Sequence, residues 1–171
     1  MQILILPGYS EHNREWIKEI DARLKTKYDV LIHEWSHWEN SSTLFRLKYE
    51  INQILNKVRD KEKVNIIAKS VGTRVLMNLI MDKDFLSKIN KVIMCGIPTR
   101  FENETTRILY KDSLSLLSPS QFLILQNDKD PLAKFSYVNK YIKSINPEFR
   151  ILKMPRNDHN YPYFDEFLKF L

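Results

Sequence analysis

Three short segments hold residue types that could carry acyl-transfer chemistry. Ala68-Lys69-Ser70-Val71-Gly72 places a serine among small residues. It follows the β-patterned run Val64 to Ala68 and precedes a helical stripe of Val75, Leu76, Leu79 and Ile80. At such a strand-to-helix turn a serine hydroxyl is raised above the sheet edge, and small flanking residues let strand and helix pass closely. A serine hydroxyl needs a base to take its proton, and the base needs a third group to hold it. Asn127-Asp128-Lys129-Asp130-Pro131 follows a later β-patterned run, and Asp158-His159-Asn160 follows the last. Serine, then acid, then histidine is an order that lets all three converge at one sheet edge. The residues therefore assign Ser70 as nucleophile, His159 as base and Asp130 as orienting acid, with Asp128 as the alternative acid. The bland readings make Ser70 a helix N-cap and His159 a loop histidine. The ordered placement of all three segments favours the chemical reading.

An oxyanion needs fixed donors. The backbone N–H of Val71 is one, and the loop Pro7-Gly8-Tyr9-Ser10 offers the N–H of Tyr9 as the second. Gly8, Ser10, His12 and Trp35 are candidate substrate-binding residues. The stretch Thr99 to Ser120, with Phe101, Leu109 and Tyr110, is expected to cap the acyl group. Lys69 and Arg74 read as solvent-facing or structural, and Cys95 as packing.

A rival motif, His33-Glu34-Trp35-Ser36-His37, matches H-E-x-x-H. On a helix it would bind zinc, with the glutamate as base. Here it ends a β-patterned run, so the helical turn that brings the two histidines together is missing. No metal site and no cofactor is assigned.

The elements that must position these groups alternate regularly. The runs Gln2 to Leu6, Asp29 to Trp35, Val64 to Ala68, Lys91 to Cys95, Gln121 to Leu125 and Phe149 to Met154 predict strands, several of them apolar at consecutive positions. Between them, Trp16, Ile17, Ile20 and Leu24 fall at helical spacing, as do Leu44, Leu47, Ile51, Ile54, Leu55 and Val58, with Ser41, Ser42 or Thr43 as N-cap. Further helical patterns cover about Thr105 to Leu117, Phe135 to Ile145 with Pro131 in the first turn, and the aromatic C-terminal stretch. The expectation is a doubly wound α/β sheet with helices on both faces. In such sheets sites lie at the carboxyl ends of the strands. The three glycines, Gly8, Gly72 and Gly96, all fall just beyond predicted strands.

The chain has 171 residues, 43% hydrophobic and 28% charged, which suits a single domain over 1–171. Its net charge of +6 comes from scattered lysines, which argues against nucleic-acid binding. One cysteine precludes an internal disulfide. No apolar run reaches the length of a membrane span and no signal peptide is evident, so a cytoplasmic monomer acting on a small acyl substrate is expected.

PGYS after the first strand, AKSVG at the turn, NDKDPLA after the fifth strand and NDHNY after the last together resemble the α/β-hydrolase superfamily. Within it the chain is similar to the compact serine hydrolases related to retinoblastoma-binding protein 9 and the bacterial YdeN-like proteins. The resemblance implies a three-layer, mostly parallel six-stranded sheet in the order 2-1-3-4-5-6, a minimal cap and hydrolysis of small esters. Ala68 departs from the glycine usual at that position. The alternative is a catalytically idle protein of this fold that serves as a protein-binding module.

Overall fold

The computed structural model describes residues 1–39, 42–98 and 103–171. Six strands form one sheet: β1 (Gln2–Leu6), β2 (Asp29–Ile32), β3 (Val64–Lys69), β4 (Ile89–Cys95), β5 (Phe122–Asn127) and β6 (Ile151–Met154). Their order is β2-β1-β3-β4-β5-β6, as the resemblance implied, and every adjacent pair is parallel. β3 and β5 are buried along their whole length, as are Ile3 to Leu6 of β1. Strands that are apolar at successive positions must be covered on both faces, which is what a parallel sheet with crossover helices provides. The edge strands β2 and β6 are only part-buried.

Among the described residues, seven α-helices supply the cover: α1 (Asn13–Leu24), α2 (Leu47–Val58), α3 (Val71–Ile80), α4 (Lys83–Lys88), α5 (Glu104–Leu114), α6 (Phe135–Ile145) and α7 (Phe164–Phe170). The chain first steps from β1 out to β2, then reverses and walks from β3 to β6. Right-handed crossovers in opposite directions put helices on opposite faces. Accordingly α1 packs with α7, while α3 packs with α2, α4 and α5. No described helix is long and apolar enough to cross a membrane.

The differences from expectation have local causes. β2 stops at Ile32 rather than Trp35, because His33 turns inward onto Glu50 and Trp35 turns onto the Gly8 carbonyl. α2 starts at Leu47 with Arg46 as its N-cap and no side-chain cap bond. Leu44, placed on its buried stripe by periodicity, is 80% exposed. Ser42 and Thr43 precede that helix, and Ser41 lies outside the described residues. Pro131 is not in the first turn of α6, which begins at Phe135. The short helix α4 was not expected; Asp82 caps it by accepting from the Phe85 N–H at 2.9 Å.

One residue sets how closely α3 meets the sheet. A Cβ at Gly72 would stand 2.2 Å from the Leu6 carbonyl oxygen, which is backbone and cannot step aside. Gly72→Ala is therefore expected to destabilise the fold by about 2 kcal/mol or more through overpacking, read as a lowered midpoint in urea unfolding.

Candidate active site

The site lies at the carboxyl ends of β1, β3, β5 and β6. Ser70 follows β3 directly, with φ 53° and ψ −121°, the only positive φ among described non-glycine residues. Such a conformation costs on the order of 1–3 kcal/mol and persists only where surroundings enforce it. Here the Ser70 N–H donates to the Cys95 carbonyl at 3.0 Å, and its own carbonyl accepts from the Thr73 N–H and hydroxyl. Ser70 stands at the N-cap position of α3, but its side chain makes no cap hydrogen bond.

His159 and Asp130 meet. His159 Nδ1 lies 2.7 Å from Asp130 Oδ2. The same oxygen accepts from the Tyr161 hydroxyl at 2.5 Å, while Oδ1 accepts from the N–H groups of Leu132 and Ala133. Burial alone would push the Asp130 carboxyl up. The hydrogen bonds from His159, Tyr161 and Leu132 outweigh it and hold the group below its ordinary value. Asp128 points elsewhere and pairs with Lys153 at 3.1 Å. Of the two aspartates, it is Asp130 that bonds His159. Among the described residues, His159 Nε2 is enclosed and has no hydrogen-bond partner; Ser70 lines the same cleft without bonding to it.

The histidine loop is clamped from several sides. Asn127, at the end of β5, donates through Nδ2 to the carbonyls of Asp158 and Asn160 and accepts from the Tyr163 hydroxyl. Its backbone N–H donates to the Tyr161 hydroxyl. Trp16 donates to the Tyr161 carbonyl. Asp158 pairs with Arg156, which holds its carboxyl down to about 2, and accepts from the Asn160 N–H. Gly96 has φ +63°, and a Cβ there would stand 2.5 Å from the Tyr161 ring and 2.9 Å from His159. Its glycine gives the two rings their space. Asn127 and Tyr161 were not singled out in the sequence, although both stand in the motifs quoted there.

The H-E-x-x-H segment ties the end of β2 to α2 and to the loop after β1. After β2 it is extended, then turns through a 3-10 helix at Ser36–Trp38. His33 is buried and bonds Glu50 at 2.8 Å, while the other Glu50 oxygen accepts from the Ser36 N–H and hydroxyl. Burial lowers the His33 pKa although Glu50 acts to raise it. Trp35 donates to the Gly8 carbonyl at 2.8 Å. Trp38 donates to the Tyr9 carbonyl at 2.7 Å, and His37 Nε2 lies 2.9 Å from the same oxygen. The loop after β1 is thereby pinned by its carbonyls. The N–H groups of Tyr9 and Val71 find no acceptor among the described residues.

Gly8, Tyr9, Ser10 and His12 line the cleft that holds Ser70 and His159. Trp35 does not; it is fully buried beneath the loop, because its N–H is spent on Gly8. Lys69 is neither solvent-facing nor remote: it is 6% exposed and lines the cleft. Cys95 is packing, its thiol pushed up to about 12 by burial. Within the expected cap, α5 lies against α3, and Tyr110 is buried with its hydroxyl on Thr73. Leu109 packs against the core, and Phe101 is outside the described residues.

No protein-family model and no curated protein sequence matches the chain. Solved structures do. An α/β serine hydrolase without a lid from Xanthomonas campestris is 13% identical, with a TM-score of 0.65 over 92% of this chain and 72% of that one. The ydeN gene product of B. subtilis is 13% identical, TM-score 0.69, over 99% and 97%. An alpha-beta serine hydrolase homologue from Coxiella burnetii is 15% identical, TM-score 0.73, over 99% and 82%. The chain has the α/β-hydrolase fold.

Asp130 makes stability depend on pH in a definite direction. Its folded pKa is below the unfolded value of about 3.9, so its contribution is present above that pH and lost as pH falls through the lower folded value. Urea unfolding of the native chain and Asp130→Asn is expected to differ at pH 7, with the gap narrowing below about pH 4.

Proposed function

We propose that the protein is a serine hydrolase that cleaves a small ester, thioester or amide through an acyl-enzyme on Ser70. The observation that carries this reading is the His159–Asp130 hydrogen bond, with His159 Nε2 unbonded and enclosed beside the cleft that Ser70 lines. Nε2 takes the proton as Ser70 Oγ attacks the carbonyl carbon. Asp130 holds the Nδ1–H tautomer and stabilises the imidazolium. The imidazolium then protonates the leaving group, and water repeats the sequence in reverse roles to release the acid. Hydrogen bonds of this kind are often loose in unliganded enzymes and tighten around substrate, so the unmade Ser70–His159 bond is compatible with the reading.

The N–H groups of Val71 and Tyr9 are the oxyanion donors in this proposal. Trp35, Trp38 and His37 act through the Gly8 and Tyr9 carbonyls to hold that loop. Every group involved comes from one chain, so a monomer suffices.

The deciding experiment is labelling with a fluorophosphonate probe. The native chain is expected to label at Ser70, with labelling lost in Ser70→Ala and His159→Ala and ester turnover reduced on the order of 10³-fold or more. A native chain that stays unlabelled beside a reactive control hydrolase would instead support the binding-module reading, which the unmade Ser70–His159 bond favours. Trp35→Phe keeps an aromatic ring and removes the donor to the Gly8 carbonyl, which shares a peptide plane with the Tyr9 N–H. It is expected to lower kcat by about tenfold with little change in KM, because the oxyanion exists only beyond the ground state.

A further inference from the structure

Ser70 stands where two clefts of different character meet. One, of about 470 Å³, is lined by His159, Lys69, Asn13 and Ser10. The other, of about 570 Å³, is lined by Val71, Pro98, Thr106 and Tyr110, with Arg74 also on its wall. Tyr9 and Leu132 belong to both. In acyl transfer the histidine hands its proton to the leaving group, so that group must depart on the histidine's side. The Lys69 cleft is then the leaving-group side, and the more apolar cleft under α5 receives the acyl chain.

Lys69 is an unusual residue to find there. Its ammonium sits 2.8 Å from Asn13 Oδ1 and 5.2 Å from the centre of the Trp16 ring. Asn13 Nδ2 donates to the Ser10 carbonyl, which fixes the amide with its oxygen toward Lys69. Both neighbours are neutral, and no carboxylate among the described residues lies within ion-pairing distance of Nζ. A buried cation bonded only by an amide oxygen and a ring face, with Asp130 and Asp158 acting on it from beyond ion-pairing distance, is incompletely compensated. Burial accordingly lowers its pKa below that of an ordinary lysine. One of its three N–H donors goes to Asn13, which leaves donors for a ligand.

We propose that Lys69 binds a carboxylate carried on the leaving-group half of the substrate, so that the preferred substrates are apolar acyl derivatives of a small hydroxy, thiol or amino acid. The proposal rests on the serine hydrolase reading for the direction of the substrate. A monoanion fits better than a dianion: a single ammonium faces it, and Glu15 and Glu19 stand exposed on the same cleft. Lys69 is thus a specificity-determining residue beside the nucleophile, not a member of the proton relay.

The test compares three butyryl esters: O-butyrylglycolate, its neutral amide O-butyrylglycolamide, and butyrylcholine as a cationic counterpart. The native chain is expected to favour the glycolate over the glycolamide by about tenfold or more in kcat/KM, as for a charge-assisted hydrogen bond. Lys69→Met is expected to bring that ratio close to one, and Lys69→Arg to keep part of it. Equal rates on glycolate and glycolamide in the native chain, or a preference for butyrylcholine, overturn the proposal while leaving the serine hydrolase reading intact. If Ser70 fails to label and no ester turns over, calorimetry decides the lysine site by itself. O-butyrylglycolate is then expected to bind Ser70→Ala at least tenfold more tightly than the double variant with Lys69→Met; equal or undetectable binding overturns the site.

Discussion

The Asp130 carboxylate is removed from water yet kept charged by four donors: a histidine ring, a tyrosine hydroxyl and two backbone N–H groups. A buried charge is tolerated only where its lone pairs are met, so each donor must arrive in place. Meeting that demand organises much of the active edge. The backbone donors fix the turn after β5. The tyrosine hydroxyl also accepts from the Asn127 N–H, and the Tyr161 carbonyl accepts from Trp16 on α1. Three elements distant in sequence are thereby tied to one carboxylate. His159 is oriented as part of the same arrangement, with its second nitrogen enclosed and without a hydrogen-bond partner among the described residues.

A second buried polar centre does the corresponding work on the opposite side. Glu50 of α2 accepts from His33 and twice from Ser36, which holds the segment leaving β2 against the helix. That segment carries the ring donors that fix the Gly8 and Tyr9 carbonyls. Fixing a carbonyl fixes the peptide plane it belongs to, and with it the direction of the next N–H. Pre-aimed dipoles need no reorganisation when charge develops, which is where their catalytic value lies.

The sheet was legible because its strands are continuous apolar runs, and such runs admit few environments. That Ser70 and His159 stand on one cleft at the sheet edge was legible because chain order and strand ends constrain where they can stand. The choice between Asp128 and Asp130 was not, because two residues of one type, two positions apart, differ only in how the turn aims them. Lys69 read as a solvent or structural residue because lysine is almost never buried without an ion pair, and burial is a property of the whole fold. Trp35 was misplaced for a related reason: its position at the sheet edge was right, but the indole N–H took a backbone carbonyl below the cleft. Tyr161 and Asn127 carry no pattern of their own; only the loop's closure gives them partners.

The Trp16–Tyr161 hydrogen bond spans 145 positions of chain. Contacts so far apart in sequence carry a large loop-closure entropy and form late, and the parallel sheet around them has the same character. During synthesis the strained serine turn has its local environment, β1, β3, α3 and β4, long before the histidine loop leaves the ribosome. On the proposed reading, a nascent chain therefore holds Ser70 before its base is in place, and the order of residues along the polypeptide keeps an unfinished chain chemically silent.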